Sequence, residues 1–167
     1  MTAERFEPLL DVHLRGAFYV TRPAWKRMRE QRYGRVLNTC SAAGILGAAG
    51  MNNYGAAKAA LIGLTRVLAA EGIDNGIKVN AIAPIAYTRK LMHSLDGAGP
   101  QEDATAQAVL DDLVGQYLRT LDPALVAPVA AFLVHPDCPV SGEIYTVGAG
   151  HVGRFFISRT RGFELLG

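Results

Sequence analysis

Apolar positions at the start of the chain follow a helical rhythm. Phe6, Leu9, Leu10, His13, Leu14, Ala17 and Phe18 recur at intervals of three and four, which predicts a helix over residues 3 to 31, kinked or divided at Pro23. Gly34 then opens RVLNTC, a nearly unbroken nonpolar run of the kind found in buried parallel strands, placed at residues 35 to 40. The next segment, AAGILGAAG, reads as a loop whose glycines at 44, 47 and 50 permit close turns. From about residue 53 to 71 a second helix is apolar on almost every side, through Ala57, Leu61, Leu64, Val67 and Leu68. A helix of that kind is buried, in the core or against another subunit. Gly72 stops it, and IKVNAIA at 77 to 83 gives the next strand, ended by Pro84. Residues 86 to 105 hold Gly97, Gly99 and Pro100 among polar neighbours and read as a loop. Helices are expected at about 105 to 119 and 123 to 134, the second capped by Asp122 with Pro123 in its first position. The last strand is EIYTVGAG at 143 to 150. Three strands separated by helices describe an α/β chain.

Half of the 167 residues are apolar, enough for one globular domain with a sizeable core over residues 1 to 167. A net charge of +2 gives no reason to expect nucleic acid or a strongly acidic partner. Cys40 and Cys138 are too few for a disulfide framework and lack metal spacing, which fits a reducing compartment and no metal site. No apolar run reaches the length of a membrane span, and MTAERFEPLL has no signal-peptide pattern. The expected setting is cytoplasmic. Arg22, Lys26, Arg27, Arg29, Arg32 and Arg35 gather at the end of the first helix, where cations complement the helix dipole, and they read as a solvated face.

Candidate chemistry lies between residues 41 and 58. Ser41 precedes Tyr54 by thirteen positions and Tyr54 precedes Lys58 by four. With Asn52 or Asn53 as helix cap, Tyr54 and Lys58 stand on one helix face a turn apart, placing an ammonium beside a phenol. A free phenol is a poor acid or base at neutral pH, and a neighbouring cation favours its ionised form. Ser41, at the end of the strand, supplies a hydroxyl able to bond the oxygen that Tyr54 protonates. Chance yields a Tyr-x3-Lys pair about 0.14 times in a chain of this composition but the full triplet only about 0.003 times, so the triplet carries the information. The constellation suits carbonyl reduction or alcohol oxidation. Cys40 lacks a nearby base and is not read as a nucleophile.

In these residues, and in the segments VHLRGAFYVTR, GRVLNTCSAAG, YGAAK, IKVNAIAP and GEIYTVGAG taken in order, the chain resembles the short-chain dehydrogenase/reductase family. VHLRG with VGAGHVGR and the Arg-rich tail is most similar to the (3R)-hydroxyacyl-CoA dehydrogenase branch of the type 2 multifunctional enzymes. The resemblance implies the C-terminal part of a Rossmann-like, doubly wound parallel sheet with helices on both faces, keeping the last three strands of the order 3-2-1-4-5-6-7. It implies Ser41, Tyr54 and Lys58 as catalytic residues, and NAD or NADP as cofactor, with Tyr54 and Lys58 at the nicotinamide ribose. His13 stands where the family commonly has an asparagine holding a water, and an imidazole can likewise donate and accept. It reads either as that relay or as a satisfied histidine on an apolar helix face. Pro84 and Thr88 fall near the family's nicotinamide contacts, although Ile85 takes the usual glycine's place and Thr88 lies one position early.

The sequence contains no TGxxxGxG turn, whose backbone would hold the cofactor's phosphates, and no NNAG strand. These residues alone are therefore expected to bind either cofactor weakly or not at all. The expected partner is a small-molecule substrate, a 3-hydroxyacyl-CoA or 3-oxoacyl thioester, with homo-oligomerisation through the first and second helices and the unpaired edge of RVLNTC. Arg154, Arg159 and Arg161, set among aromatics in the tail, suit CoA phosphates or another subunit. The alternative is a non-catalytic remnant acting as an oligomerisation or interaction module.

Overall fold

A computed structural model describes residues 2–88, 115–118 and 120–163. The predicted first helix is three pieces: α1 (Ala3–Leu10), a π-helical segment Asp11–Arg15, and α2 (Gly16–Glu30). Its break falls at the π segment, where the Gly16 N–H reaches back five residues to the Asp11 carbonyl. Pro23, expected to divide the helix, lies within α2 without interrupting it. The carbonyl that loses its helical donor there is that of Tyr19, on the exposed side, where water can replace the bond.

After α2 come β1 (Gly34–Thr39), a five-residue helix α3 (Ala42–Leu46) and the long α4 (Asn52–Gly72). Then follow β2 (Ile77–Pro84), α5 (Ala127–Val134), β3 (Ile144–Gly148) and β4 (His151–Phe155). The helix expected at 105 to 119 lies largely outside the described residues, of which 115–118 are helical. The sheet runs β1-β2-β3-β4. β1 pairs with β2 in parallel from Gly34↔Ile77 to Thr39↔Ile82, and β2 with β3 in parallel from Ala81↔Ile144 to Pro84↔Val147.

Among the described residues the sheet has four strands rather than the expected three. β4 returns antiparallel to β3, with Gly148 opposite His151, across the two-residue turn Ala149-Gly150. Both turn residues have positive φ, 50° and 72°, the left-handed geometry that matches the twist of a tight hairpin. An alanine gives no warning of such a turn.

Alternation along β2 splits the core between two faces. Ile77, Val79, Ala81 and Ala83 pack on the α2 and α4 side with Met28, Ala69 and Cys40, while Ile82 meets Leu133, Cys138 and Val147 on the α5 side. Helices thus cover both faces of a mostly parallel sheet, as expected. α4 departs from its all-round apolar reading. It buries one stripe, Ala57, Lys58, Leu61, Thr65, Ala69 and Gly72, and leaves Ala59, Gly63 and Val67 exposed on the other side.

Arg35, grouped by sequence with a solvated basic cluster, is half-buried and clamps backbone instead. Its guanidinium donates to the carbonyls of Gly34, Gly76, His135 and Pro136 at 2.7–3.2 Å and lies over the Tyr33 ring at 4.5 Å. The last two carbonyls follow α5, so Arg35 ties the start of β1 to the end of that helix.

Candidate active site

β1 ends at Thr39, and Ser41 follows two residues later as the N-cap of α3. Its backbone is extended, and its Oγ accepts from the Ala43 N–H at 3.2 Å. The segment read as a loop therefore begins with a helical turn, which fixes Ser41 at the C-terminal end of the sheet, where open α/β sheets hold ligands. Gly44 lets α3 lie against α4: a Cβ there would sit 2.6 Å from Ala59 N and 2.7 Å from the Lys58 carbonyl carbon.

Tyr54 occupies the first turn of α4. Met51 is the N-cap, and Asn53 serves the turn differently from a capping residue. Its Oδ1 accepts from the Tyr54 N–H at 2.8 Å, while its Nδ2 donates to the Arg5 carbonyl on α1 at 2.8 Å. One helical turn on, Lys58 is 7% exposed. Its Nζ lies 5.7 Å from the centre of the Tyr54 ring and donates to the Thr39 carbonyl at 2.8 Å. Burying an ammonium is costly unless it is hydrogen-bonded, and here the bond goes to the strand that leads into Ser41. Lys58 thereby fastens the helix carrying Tyr54 to the strand end carrying the serine.

His13 reaches the same place from the π segment. Its ring meets Tyr54 edge to face, with centroids 5.4 Å apart and planes at 85°. The irregular turn is a common device for aiming a side chain at a site. Four positions singled out by sequence, His13, Ser41, Tyr54 and Lys58, thus gather at one end of β1. Pro84 and Thr88 lie elsewhere on the same sheet edge, at and beyond the end of β2, and both are exposed. A groove of about 510 Å³ runs beside β1, lined by His13, Thr39, Lys58 and Leu61 among others. Burial pushes the Cys40 thiol up, against the pull of backbone hydrogen bonds and the Lys58 charge, so this neighbour is held neutral and unreactive.

Sequence reasoning did not identify Thr39, whose contribution is a backbone carbonyl with no side-chain signature. It also missed the buried bond from Asn38 Nδ2 to Thr65 Oγ1, 2.9 Å long, which joins β1 to α4 farther along the helix.

Comparisons with known proteins point to one family. A family model described as enoyl-(acyl carrier protein) reductase matches residues 1–151. The peroxisomal multifunctional enzyme type 2 of Mus musculus is 42% identical over 159 residues, 95% of this chain and 19% of that protein. An acetoacetyl-CoA reductase of an Acinetobacter species is 34% identical over 153 residues, covering 90% of this chain and 58% of the reductase. Among solved structures, the full-length peroxisomal multifunctional enzyme type 2 from Drosophila melanogaster superposes with a TM-score of 0.78 at 33% identity, over 99% of this chain and 26% of the larger one. A short-chain dehydrogenase from Mycobacterium avium gives 0.72 at 30% identity, over 99% of this chain and 51% of its own. The chain spans only part of the length of each. From the triplet, the sheet that presents it and these matches, the chain belongs to the short-chain dehydrogenase/reductase family.

Proposed function

We propose that the chain carries the proton-handling half of an NAD(P)-dependent oxidoreductase that interconverts a secondary alcohol and a ketone on a 3-hydroxyacyl-CoA or 3-oxoacyl thioester. The observation that carries this reading is the buried Lys58 ammonium, held by Thr39 and set 5.7 Å from the Tyr54 ring. An ammonium has three donors, and such a donor beside a phenol, on the wall of a groove, fits the hydroxyls of a nicotinamide ribose. The nicotinamide, when bound, supplies or accepts the hydride.

The chain's own residues manage the proton and the oxygen. In the reductive direction Tyr54 Oη gives its proton to the carbonyl oxygen as negative charge develops there. The adjacent Lys58 charge stabilises the phenolate left behind, more strongly because the ammonium itself is buried. Ser41 Oγ donates a hydrogen bond to the same oxygen. His13, whose ring lies against Tyr54, would hold a water that returns protons to the site. Pro84 and Thr88 would border the nicotinamide from the neighbouring strand end. The acyl-CoA reading draws on the names of the relatives, and NAD and NADP are both compatible with the residues present.

One observation favours a second reading. β1 forms the outer edge of the described sheet, so its outward backbone groups are open to pairing with another polypeptide. A non-catalytic role as an oligomerisation or interaction module would use that edge. We also place the chain in the cytoplasm, since Cys40 and Cys138 are both buried free thiols, and imaging of a tagged chain checks this. No helix among the described residues is long and apolar enough to cross a membrane.

Turnover of a 3-oxoacyl-CoA with saturating nicotinamide cofactor separates the two functions. Ser41→Ala should lower kcat by roughly 10²–10³, as expected for loss of one donor to a developing oxyanion. Equal turnover by the variant would remove Ser41 from the mechanism.

A further inference from the structure

We propose that Asn38 and Thr65 are positioning residues for the Lys58 ammonium. The inference rests on the reading of Tyr54 and Lys58 as the reacting pair. Asn38 borders the groove beside β1 and Thr65 lies behind it, and neither contacts the Tyr54 ring. Tyr54, Lys58, Leu61 and Thr65 follow one another at four, three and four positions, so they form a single stripe of α4. The stripe meets β1 through two polar links. At the site end Lys58 Nζ donates to Thr39 O at 2.8 Å, and two turns along the helix Thr65 Oγ1 accepts from Asn38 Nδ2 at 2.9 Å. Asn38 and Thr39 are neighbours in β1, so both links anchor to the same short stretch of backbone.

The second link has a fixed direction. Thr65 Oγ1 donates its own proton to the Leu61 carbonyl at 2.7 Å, so it can only accept from the asparagine. Asn38 is 7% exposed and Thr65 fully buried, so water cannot replace the bond. Apolar contacts between a helix and a strand resist separation, yet they tolerate sliding along the axis. A directional bond does not. With the far end pinned, the Lys58 side chain has one place to end, between the Tyr54 ring and the Thr39 carbonyl. Without that pin α4 is free to settle at small offsets, and the Lys58 bond must follow.

The test uses the 167-residue chain with its lysines labelled at Nζ, and reads the Lys58 ammonium resonance by NMR, assigned with Lys58→Arg. No cofactor, substrate or turnover is involved, so a failure of the catalytic reading would leave this result standing. Thr65→Val should shift the resonance and speed its proton exchange roughly fivefold, the change that follows loss of one ordinary hydrogen bond. Thr65→Ser, which keeps the oxygen, should restore both. The double variant Asn38→Leu with Thr65→Val guards against simple misfolding, because replacing both partners by apolar groups is close to neutral for stability. It should melt near the parent temperature and still show the displaced Lys58 signal. An unmoved Lys58 signal in either Val variant overturns the proposal, as does a Thr65→Ser chain that behaves like Thr65→Val.

Discussion

Replacing Gly44 by alanine sets two effects of opposite sign against each other. Gly44 lies inside α3, and alanine in a helix interior is favoured over glycine by about 1 kcal/mol. The new methyl, however, would stand 2.6 Å from Ala59 N, 2.7 Å from the Lys58 carbonyl carbon and 2.9 Å from Lys58 Cβ. Comfortable contact between such atoms is about 3.5–4.0 Å, so α3 must retreat from α4 by roughly 1 Å. Two of the three obstacles are backbone and cannot swing aside. Overpacking costs about 1–3 kcal/mol, and against backbone the upper part of that range, about 2–3 kcal/mol, applies, so the net loss after the propensity gain should be about 1–2 kcal/mol. For a chain of this length that lowers Tm by about 2–8 °C. The retreat also draws Ser41 away from Tyr54 and Lys58. Gly63→Ala supplies the control, since nothing lies within 4 Å of a Cβ at that helical position. It should raise Tm by about 2–4 °C through propensity alone. Scanning calorimetry of both variants decides the matter: a Gly44→Ala chain that melts with Gly63→Ala, above the parent, would show that α3 does not press on α4.

Ala149 holds φ at 50° in the β3–β4 turn, a conformation that costs a residue with a Cβ about 1–2 kcal/mol, so Ala149→Gly should raise the urea midpoint slightly and leave m unchanged. Cys40 has a folded pKa raised by burial, so its stabilising contribution is complete below the ordinary thiol value and is lost as pH climbs through the folded one. Urea midpoints should therefore decline above about pH 8.5, and decline less in Cys40→Ala. Phe18, Tyr19 and Val20 on α2 and Val67 on α4 are 47–74% exposed, and with the open edge of β1 they should drive association. Light scattering after size exclusion at micromolar concentration should report at least a dimer, and a cooperative monomer would refute that reading.

The parts of the site that sequence made legible are those governed by local geometry. The four-residue step from Tyr54 to Lys58 puts both on one helical face whatever surrounds them, and Ser41 follows directly from the end of a nonpolar strand. His13 was placed by its helical period, although the π segment that turns it toward Tyr54 has no side-chain pattern of its own. Other features depend on partners distant in the chain. Thr39 acts through a carbonyl, Asn38 bonds a residue 27 positions away, and the Arg35 acceptors lie up to 101 positions away. A cation that clamps carbonyls and one that faces water look the same in sequence. β4 escaped notice because the first residue of its turn is an alanine at positive φ, which left Gly150 as the one turn signal where a pair such as Asn-Gly would have announced the hairpin. The Asn53 role shows a subtler limit: the residue was identified as a helix-start signal, but it spends one end on Tyr54 and the other on α1.

The central claim is that Tyr54 moves the proton. Its most direct test follows NADH or NADPH oxidation by the 167-residue chain at millimolar cofactor with a short 3-oxoacyl-CoA, for the parent and for Tyr54→Phe. The substitution keeps the ring that His13 and Lys58 contact and removes only the hydroxyl. The account predicts slow, saturable turnover by the parent and none above background for the variant, with matching melting curves. Turnover by Tyr54→Phe equal to the parent's, or no turnover by the parent at saturating cofactor, would contradict it.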